Sequence, residues 1–419
     1  MLWQALSTTT TTTATSTSRL FLNPSNIMSA TAAASSSLAT TLTSSPAFGA
    51  AVKAMGELGV GGVIGAGCVS QNLITQEMVR ALSRTIYTIL LPMFIGTNLL
   101  KTVSSQGGKL SRSSLGVPIM AITQSAILFV LANKLLIPMF GLDPNTDEGK
   151  VLSITCCFGN AGVLPFVFSE AMFRDSAALL QSAYSQVSFF SVGWSPFFWS
   201  FVPKVMQISG QGGVKTDDMN VFQKVWQDIK VFFPPPVMGV VVGILIALTP
   251  LSPLLLNTGA KQQSAPPLAV VYNSFQNLGK AASPLAVLVL TCSLAFGAAK
   301  KIQPKGGDSS PASASVFRKW ACVSFTRFLV SPLIMWGLLH GMAKIGMIGS
   351  KAAEPMLWFV CLLEAVMPPA QNSVVLLQVA GRSEEASQMA KFLFSVYATS
   401  MLPIVGLVTA SLQSLGIVP

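Results

Sequence analysis

From residue 47 to residue 414 the sequence is a succession of apolar runs, each long enough for a helix of roughly 20 residues to cross about 30 Å of hydrocarbon. In lipid a backbone satisfies its polar groups only as helices or as a closed barrel. The period-two alternation of a barrel strand is absent from these runs, so helices are the spanning element. About ten runs are readable: 47–70, 79–102, 115–138, 150–173 and 178–203, then 232–250, 268–298, 318–343, 353–380 and 388–414. Only 10% of the residues are charged, against about 25% in a water-soluble domain, which excludes a soluble reading. The expected fold class is an all-α membrane protein.

Polar stretches divide the chain. Residues 1–45 are rich in Ser, Thr and Ala, with Arg19 the only charge and no acid before Glu57. They bury no core and are expected to be a disordered tail. Their lack of acids also suits a targeting segment. A connector at 204–231, with Lys204, Lys215, Asp217, Asp218, Lys224, Asp228 and Lys230, separates a first group of five spans (46–203) from a second (232–419). Five spans per group, an odd number, make the groups inverted relative to each other. Placing the first, third, fifth, seventh and ninth loops in the cytosol puts roughly 14 Lys and Arg there against roughly 10 opposite. The net charge of +11 is then the mark of basic loops, and no nucleic-acid partner is expected. The six cysteines lie inside apolar runs without C-x-x-C spacing, and there is one histidine, His340. Neither a metal site, nor a disulfide framework, nor a cofactor is expected.

Two spans are interrupted near their centres. The fourth reads CCFGNAGVLPFVF, with Gly159, Asn160, Gly162 and Pro165; the ninth reads EAVMPPAQNSVVLL, with Pro368, Pro369, Gln371, Asn372 and Ser373. Proline removes a backbone donor and frees a carbonyl one turn earlier. Such backbone survives in a membrane only inside protein or beside a cavity. Half-helix N-termini opening there suit a carboxylate or another small anion, and matched breaks in two halves point to a transporter site. The competing reading is a pair of proline kinks packed by neighbouring helices. Glu364, one turn before Pro368, is either a proton carrier or an interfacial carboxylate. Gln181, Ser185 and Ser188 form a polar stripe on the fifth span, and Asn98 sits in the second; these contact substrate or bond between helices. Glu170 and Arg174 are spaced for a surface pair, and Lys134 for snorkelling. No H-E-x-x-H or P-loop motif is present, so no enzyme is expected.

These residues resemble the auxin efflux carrier superfamily, and its PIN-LIKES branch more than its PIN branch. GNAGVLP at 159–165 is similar to the G-N-x-G-x-L-P of that branch, PPAQN at 368–372 to its P-P-A-x-N, and RFLVSP at 327–332 to its R-F-L-x-x-P. APPLAVVYNSFQNLGKAASPLAVLVLTCSLAFG at 265–297 resembles the stretch entering the seventh span. The resemblance implies two inverted five-helix repeats whose fourth and ninth helices cross at their breaks. It implies alternating-access transport of indole-3-acetic acid or related weak-acid anions, with Asn160 and Asn372 flanking the substrate. Arg327 is carried over as a family position, and its place in a span suggests a structural partner or a lipid contact. The short connector, unlike the long loop of many PIN proteins, favours an endomembrane role. Endoplasmic reticulum or plasma membrane is expected, with a plastid or other envelope as the alternative. The expected partners are a small organic anion and the bilayer, with the oligomeric state open between monomer and homodimer. A sodium-coupled organic-anion symporter of bile-acid-carrier type is the alternative function.

Overall fold

The computed structural model describes residues 46–105, 111–161, 163–206, 234–256, 266–299 and 312–417. The tail at 1–45, almost all of the 204–231 connector and Gly162 lie outside the described residues. Within them all regular structure is helical. We number the helices α1 Pro46–Ser70, α2 Gln76–Ser105, α3 Arg112–Met139, α4 Asp147–Cys157, α5 Val163–Phe173, α6 Ala177–Val205, α7 Pro235–Leu248, α8 Ala269–Lys280 and α9 Ala282–Ala299. Then come α10, which runs from Ala312–Phe325 through to Ser331–Lys344, α11 Pro355–Val366, α12 Asn372–Val379 and α13 Ser383–Leu415. Among the described residues, four helices are long and apolar enough to cross a membrane: α2, α3, Ser315–Lys344 of α10, and α13. Leu402 and Val63, at 78% and 76% exposed, show that large aliphatic side chains point outward, as a lipid-facing surface requires.

The helices start where side chains satisfy their free N–H groups. Thr75, Ser111, Thr146 and Ser176 accept from the backbone of Met78, Ser114, Gly149 and Leu179. Helices occupy every apolar run named above, with one difference. The 268–298 run is two helices, α8 and α9, parted at Ala281. Pro284 sits in the first turn of α9, where its missing N–H costs nothing. It has no N–H to offer the Lys280 carbonyl, so the helix does not continue upstream unbroken.

Prolines also account for a feature the sequence did not announce. Among the described residues, three five-residue π turns, Ile86–Leu90, Ala132–Leu136 and Thr326–Val330, each end two residues before a proline: Pro92, Pro138 and Pro332. Widening the turn removes the clash between the proline ring and the carbonyl four residues earlier.

Two helix pairs pack closely along glycines. α7 lies on α2, and α1 on α9. A Cβ built on Gly239 falls 2.4 Å from Pro92 O, and one on Gly243 falls 2.5 Å from Gly96 O. On the other pair, a Cβ on Gly65 falls 2.2 Å from Thr291 Oγ1 and one on Gly61 3.0 Å from Val287 Cγ1. Both are small-residue seams at a four-residue spacing, the kind that draws membrane helices together.

Candidate functional site

Two helices stop and resume, and they do so against each other. α4 ends at Cys157, the chain runs on without helix through Phe158–Ala161, and α5 begins at Val163. α11 ends at Val366, Met367–Ala370 intervene, and α12 begins at Asn372. Gly159 and Pro369 face each other in an antiparallel bridge. The bridge is closed by Asn160 N–H to Pro368 O at 2.7 Å and Ala370 N–H to Phe158 O at 2.9 Å. Gly159 and Pro369 therefore form the pair that exchanges no hydrogen bonds of its own. A Pro-Pro sequence fits there because the bonds use the carbonyl of Pro368 and the N–H of Ala370, and call on no N–H from either proline. Phe158 packs against Trp194, Phe197, Phe198 and Phe201, fixing the first break to α6.

Two side chains from other helices lock this crossing. Arg327, in the π turn of α10, is 2% exposed. Its guanidinium donates to Met367 O from Nε at 2.9 Å and from Nη2 at 2.7 Å, and to Ala365 O at 3.2 Å. Longer bonds of 3.4 Å reach Glu364 O and Cys157 O. One cation thus serves the carbonyl ends of both α4 and α11. Gly159 leaves room for it, since a Cβ there would lie 2.1 Å from Nη2. Ser331 Oγ donates to Ala365 O at 2.7 Å, and Gln124 Nε2 of α3 donates to Ser331 Oγ at 2.9 Å. From α13, the Tyr397 hydroxyl donates to Pro369 O at 2.8 Å and accepts from Asn160 Nδ2 at 3.0 Å. Arg327 is thus the structural partner anticipated from its place in a span; its burial rules out the lipid contact.

Beside the crossing lies a two-part cavity. The outer cleft, about 690 Å³, is lined by Asn98, Lys101, Gln181, Tyr184, Gln276 and Lys280, among others; small-ligand sites typically span about 300–1,000 Å³. It shares Phe94, Asn98, Phe166 and Ser188 with an inner recess that reaches Ser191, Trp194, Ser195, Trp199 and Asn372. The recess is only about 20 Å³, room for about one water molecule.

The residues singled out in the sequence therefore separate. Asn372 opens α12 and lines the recess, whereas Asn160 is buried in the Tyr397 brace and lines neither part. Gly159, Pro368 and Pro369 form the bridge, and Pro165 lies in the first turn of α5. Ser373 donates back to Ala370 O at 2.9 Å. Asn98 and Gln181 line the cleft, with Asn98 also donating to Phe94 O at 2.9 Å. Ser185 is half-buried and lines neither part. Glu364 is 2% exposed with both carboxyl oxygens unpartnered, so the interfacial placement is corrected: its face of α11 turns into protein. The Gln371 side chain is likewise buried without partners. Glu170 and Arg174 are both exposed and form no ion pair; Glu170 instead accepts from the Tyr184 hydroxyl at 3.5 Å.

Sequence reading missed Tyr397, Lys101, Lys280 and the inner half of the α6 stripe. The stripe was detectable, because Ser188, Ser191 and Ser195 continue it at helical spacing. Tyr397 carried no signal, being 237 residues from the asparagine it holds.

The model of the membrane transport protein family matches residues 52–408. Similar curated proteins of Arabidopsis thaliana include Protein PIN-LIKES 1, 27% identical over 200 residues, covering 47% of this chain and 37% of that one. Protein PIN-LIKES 3 is 20% identical over 356 residues, covering 75% and 84%. Protein PIN-LIKES 4 is 25% identical over 215 residues, covering 47% of each. The chain thus spans less than half the length of the first and third of these relatives.

Proposed function

Since this chain belongs to the membrane transport protein family, we propose that it carries small organic anions through the bilayer by alternating access at the α4/α5–α11/α12 crossing. The observation that carries this reading is the bridge between two helix breaks with Asn372 opening a half-helix at the end of the cavity. The positive dipole end of a half-helix favours a carboxylate. Asn372 adds a donor without a fixed charge. Phe94, Phe166, Trp194 and Trp199 line the recess and offer faces to an aromatic ring. Lys101 and Lys280 at the cleft favour anions. With the resemblance to auxin efflux carriers, these features support indole-3-acetate or a similar aromatic weak acid. The recess is too tight for such a molecule as it stands, which suits one state of a cycle. The anion's own charge supplies the drive, about 2.3 kcal/mol per 100 mV.

Two inverted repeats of five spans, over 46–203 and 232–419, form the scaffold in this reading. The seams support it: exchanging the first span with the sixth and the second with the seventh turns the α1–α9 contact into the α7–α2 contact. So does the π turn two residues before proline in both α3 and α10, the third spans of their halves. An endomembrane location remains the favoured one.

The test is uptake of labelled indole-3-acetate by liposomes holding the purified full-length chain under an imposed potential. Potential-driven uptake that falls at least tenfold in Asn372→Ala is expected. Uptake equal to empty liposomes, or unchanged in the variant, defeats the assignment.

A further inference from the structure

We propose that Gln378, with Arg80, Ser383 and Ser293, latches the end of the molecule opposite the cleft, and that this latch parts once in every transport cycle. Four helices set cleft and latch at opposite ends. On α2 the exposed Lys101 lines the cleft, and Arg80 stands about 30 Å away along the helix. On α6 Gln181 and Tyr184 line the cleft, and Met206 caps the other end. On α9 Pro284 lines the cleft and Ser293 lies about 14 Å further along. On α12 Asn372 opens the first turn and lines the recess, and Gln378 sits in the last turn.

At the far end a chain of hydrogen bonds runs from α2 to α9 by way of α13 and α12. Arg80 Nη2 donates to Ser383 Oγ at 3.2 Å and to Gly381 O at 3.5 Å. Ser383 Oγ donates to Gln378 Oε1 at 3.2 Å, and Gln378 Nε2 donates to Ser293 Oγ at 3.1 Å. Beside them Arg382 donates from Nη1 to Met206 O at 2.8 Å. Gln378 and Ser293 are 1% and 0% exposed, so this end is sealed, whereas Lys101 and Lys280 stand exposed at the cleft. The latch joins two sets of helices. Arg80 and Ser293 stand on α2 and α9, which the glycine seams bind to α7 and α1. Gln378 and Ser383 stand on α12 and α13, the helices that open from the crossing and brace it. Rocking one set against the other, the motion by which such carriers alternate access, breaks the Arg80–Ser383 and Gln378–Ser293 bonds. Because α12 is a rod of two turns, the substrate contact at Asn372 and the latch at Gln378 move together. Gln378 is therefore a positioning residue that acts on the site through α12. Its part in transport rests on the carrier reading above, whereas the seal does not.

Cysteines at both buried partners, Ser293→Cys with Gln378→Cys, let the latch of the full-length chain be locked by an ethane-linked bis-methanethiosulfonate that dithiothreitol removes. In liposomes the bridged protein is expected to lose at least tenfold of its potential-driven uptake of labelled indole-3-acetate and to regain it on reduction. In detergent it is expected to bind indole-3-acetate within twofold of the unbridged form. Each single variant, treated alike, is expected to keep its uptake. This split between binding and turnover is one that a merely structural contact does not produce. Uptake that survives bridging, a loss shared by the single variants, or binding lost together with uptake overturns the proposal. Amide hydrogen exchange tests the seal without substrate, using Arg80→Ala, which removes an exposed side chain and spares the core. Exchange over residues 378–387 is expected to quicken at least threefold, and an unchanged rate overturns the latch. This arm decides if the cysteine pair does not fold. A chain that shows the exchange response yet takes up nothing even when unbridged upholds the seal and defeats the carrier reading.

Discussion

At the scale of single residues, the crossing is held by few atoms, and each has a separable job. Tyr397 braces it from α13 with one hydroxyl that serves both breaks. Tyr397→Phe removes the donor to Pro369 O and one bond of Asn160 Nδ2, and a buried acceptor that loses its bond costs about 1–3 kcal/mol. We expect a lower unfolding midpoint for the purified protein, and a double variant with Asn160→Ala that loses less than the two singles together, because both cut one network. Asn372→Ala is the contrast: its side chain faces the recess, so the midpoint should hold while substrate affinity in a binding titration drops. Asn160 and Asn372 read as equivalents in the sequence, each beside its proline. What divides them is a tyrosine that only the packing brings near. Glu364 is a third case. Its carboxyl lies buried and unpartnered, with Arg327 and Cys361 the ionisable groups beside it. If it relays protons, Glu364→Gln flattens the pH profile of uptake; a profile as steep as before removes it from coupling.

At the scale of elements, proline shapes the molecule in two ways. In α4–α5 and α11–α12 it accompanies a full break, while in α2, α3 and α10 it leaves a π turn and an unbroken helix. The non-helical segments at 158–161 and 367–370 fall where Asn, Gly or Gln stand near the prolines, and Asn and Gly compete with helix for backbone bonds. The π turns were not legible, since a proline in an apolar run announces a kink without its register. For the same reason Arg327 was visible as a position but not as a clamp: its direction depends on the turn that carries it. That the apolar runs are helical was legible, because apolar length is a local property; the division of 268–298 at Ala281 was not. The seam between α2 and α7 allows a direct check. Gly239→Val would press a side chain onto Pro92 O, whereas a Cβ on Gly406 meets nothing within 4 Å. Size-exclusion profiles in detergent should show Gly239→Val largely lost as aggregate and Gly406→Ala unchanged.

At the scale of the whole molecule, the cleft sets two cations among uncharged polar and aromatic side chains. Lys101 and Lys280 line its wall with Glu170 as the one acid. Replacing both lysines with glutamine should slow anion uptake most at low ionic strength and weaken its salt dependence, because such steering is screened over about 10 Å at 0.1 M. The two glycine seams carry a consequence for how the protein is made. Each joins a helix synthesised before residue 207 to one synthesised after residue 233. A chain emerges N-terminus first, so α1 and α2 wait in the bilayer with their glycine faces against lipid until α7 and α9 arrive. Assembly is therefore a late clasp in biosynthesis, with neither half a finished intermediate. Cutting the gene within 207–233 should yield fragments that are each cleared by quality control when expressed alone and persist as a co-purifying pair when expressed together.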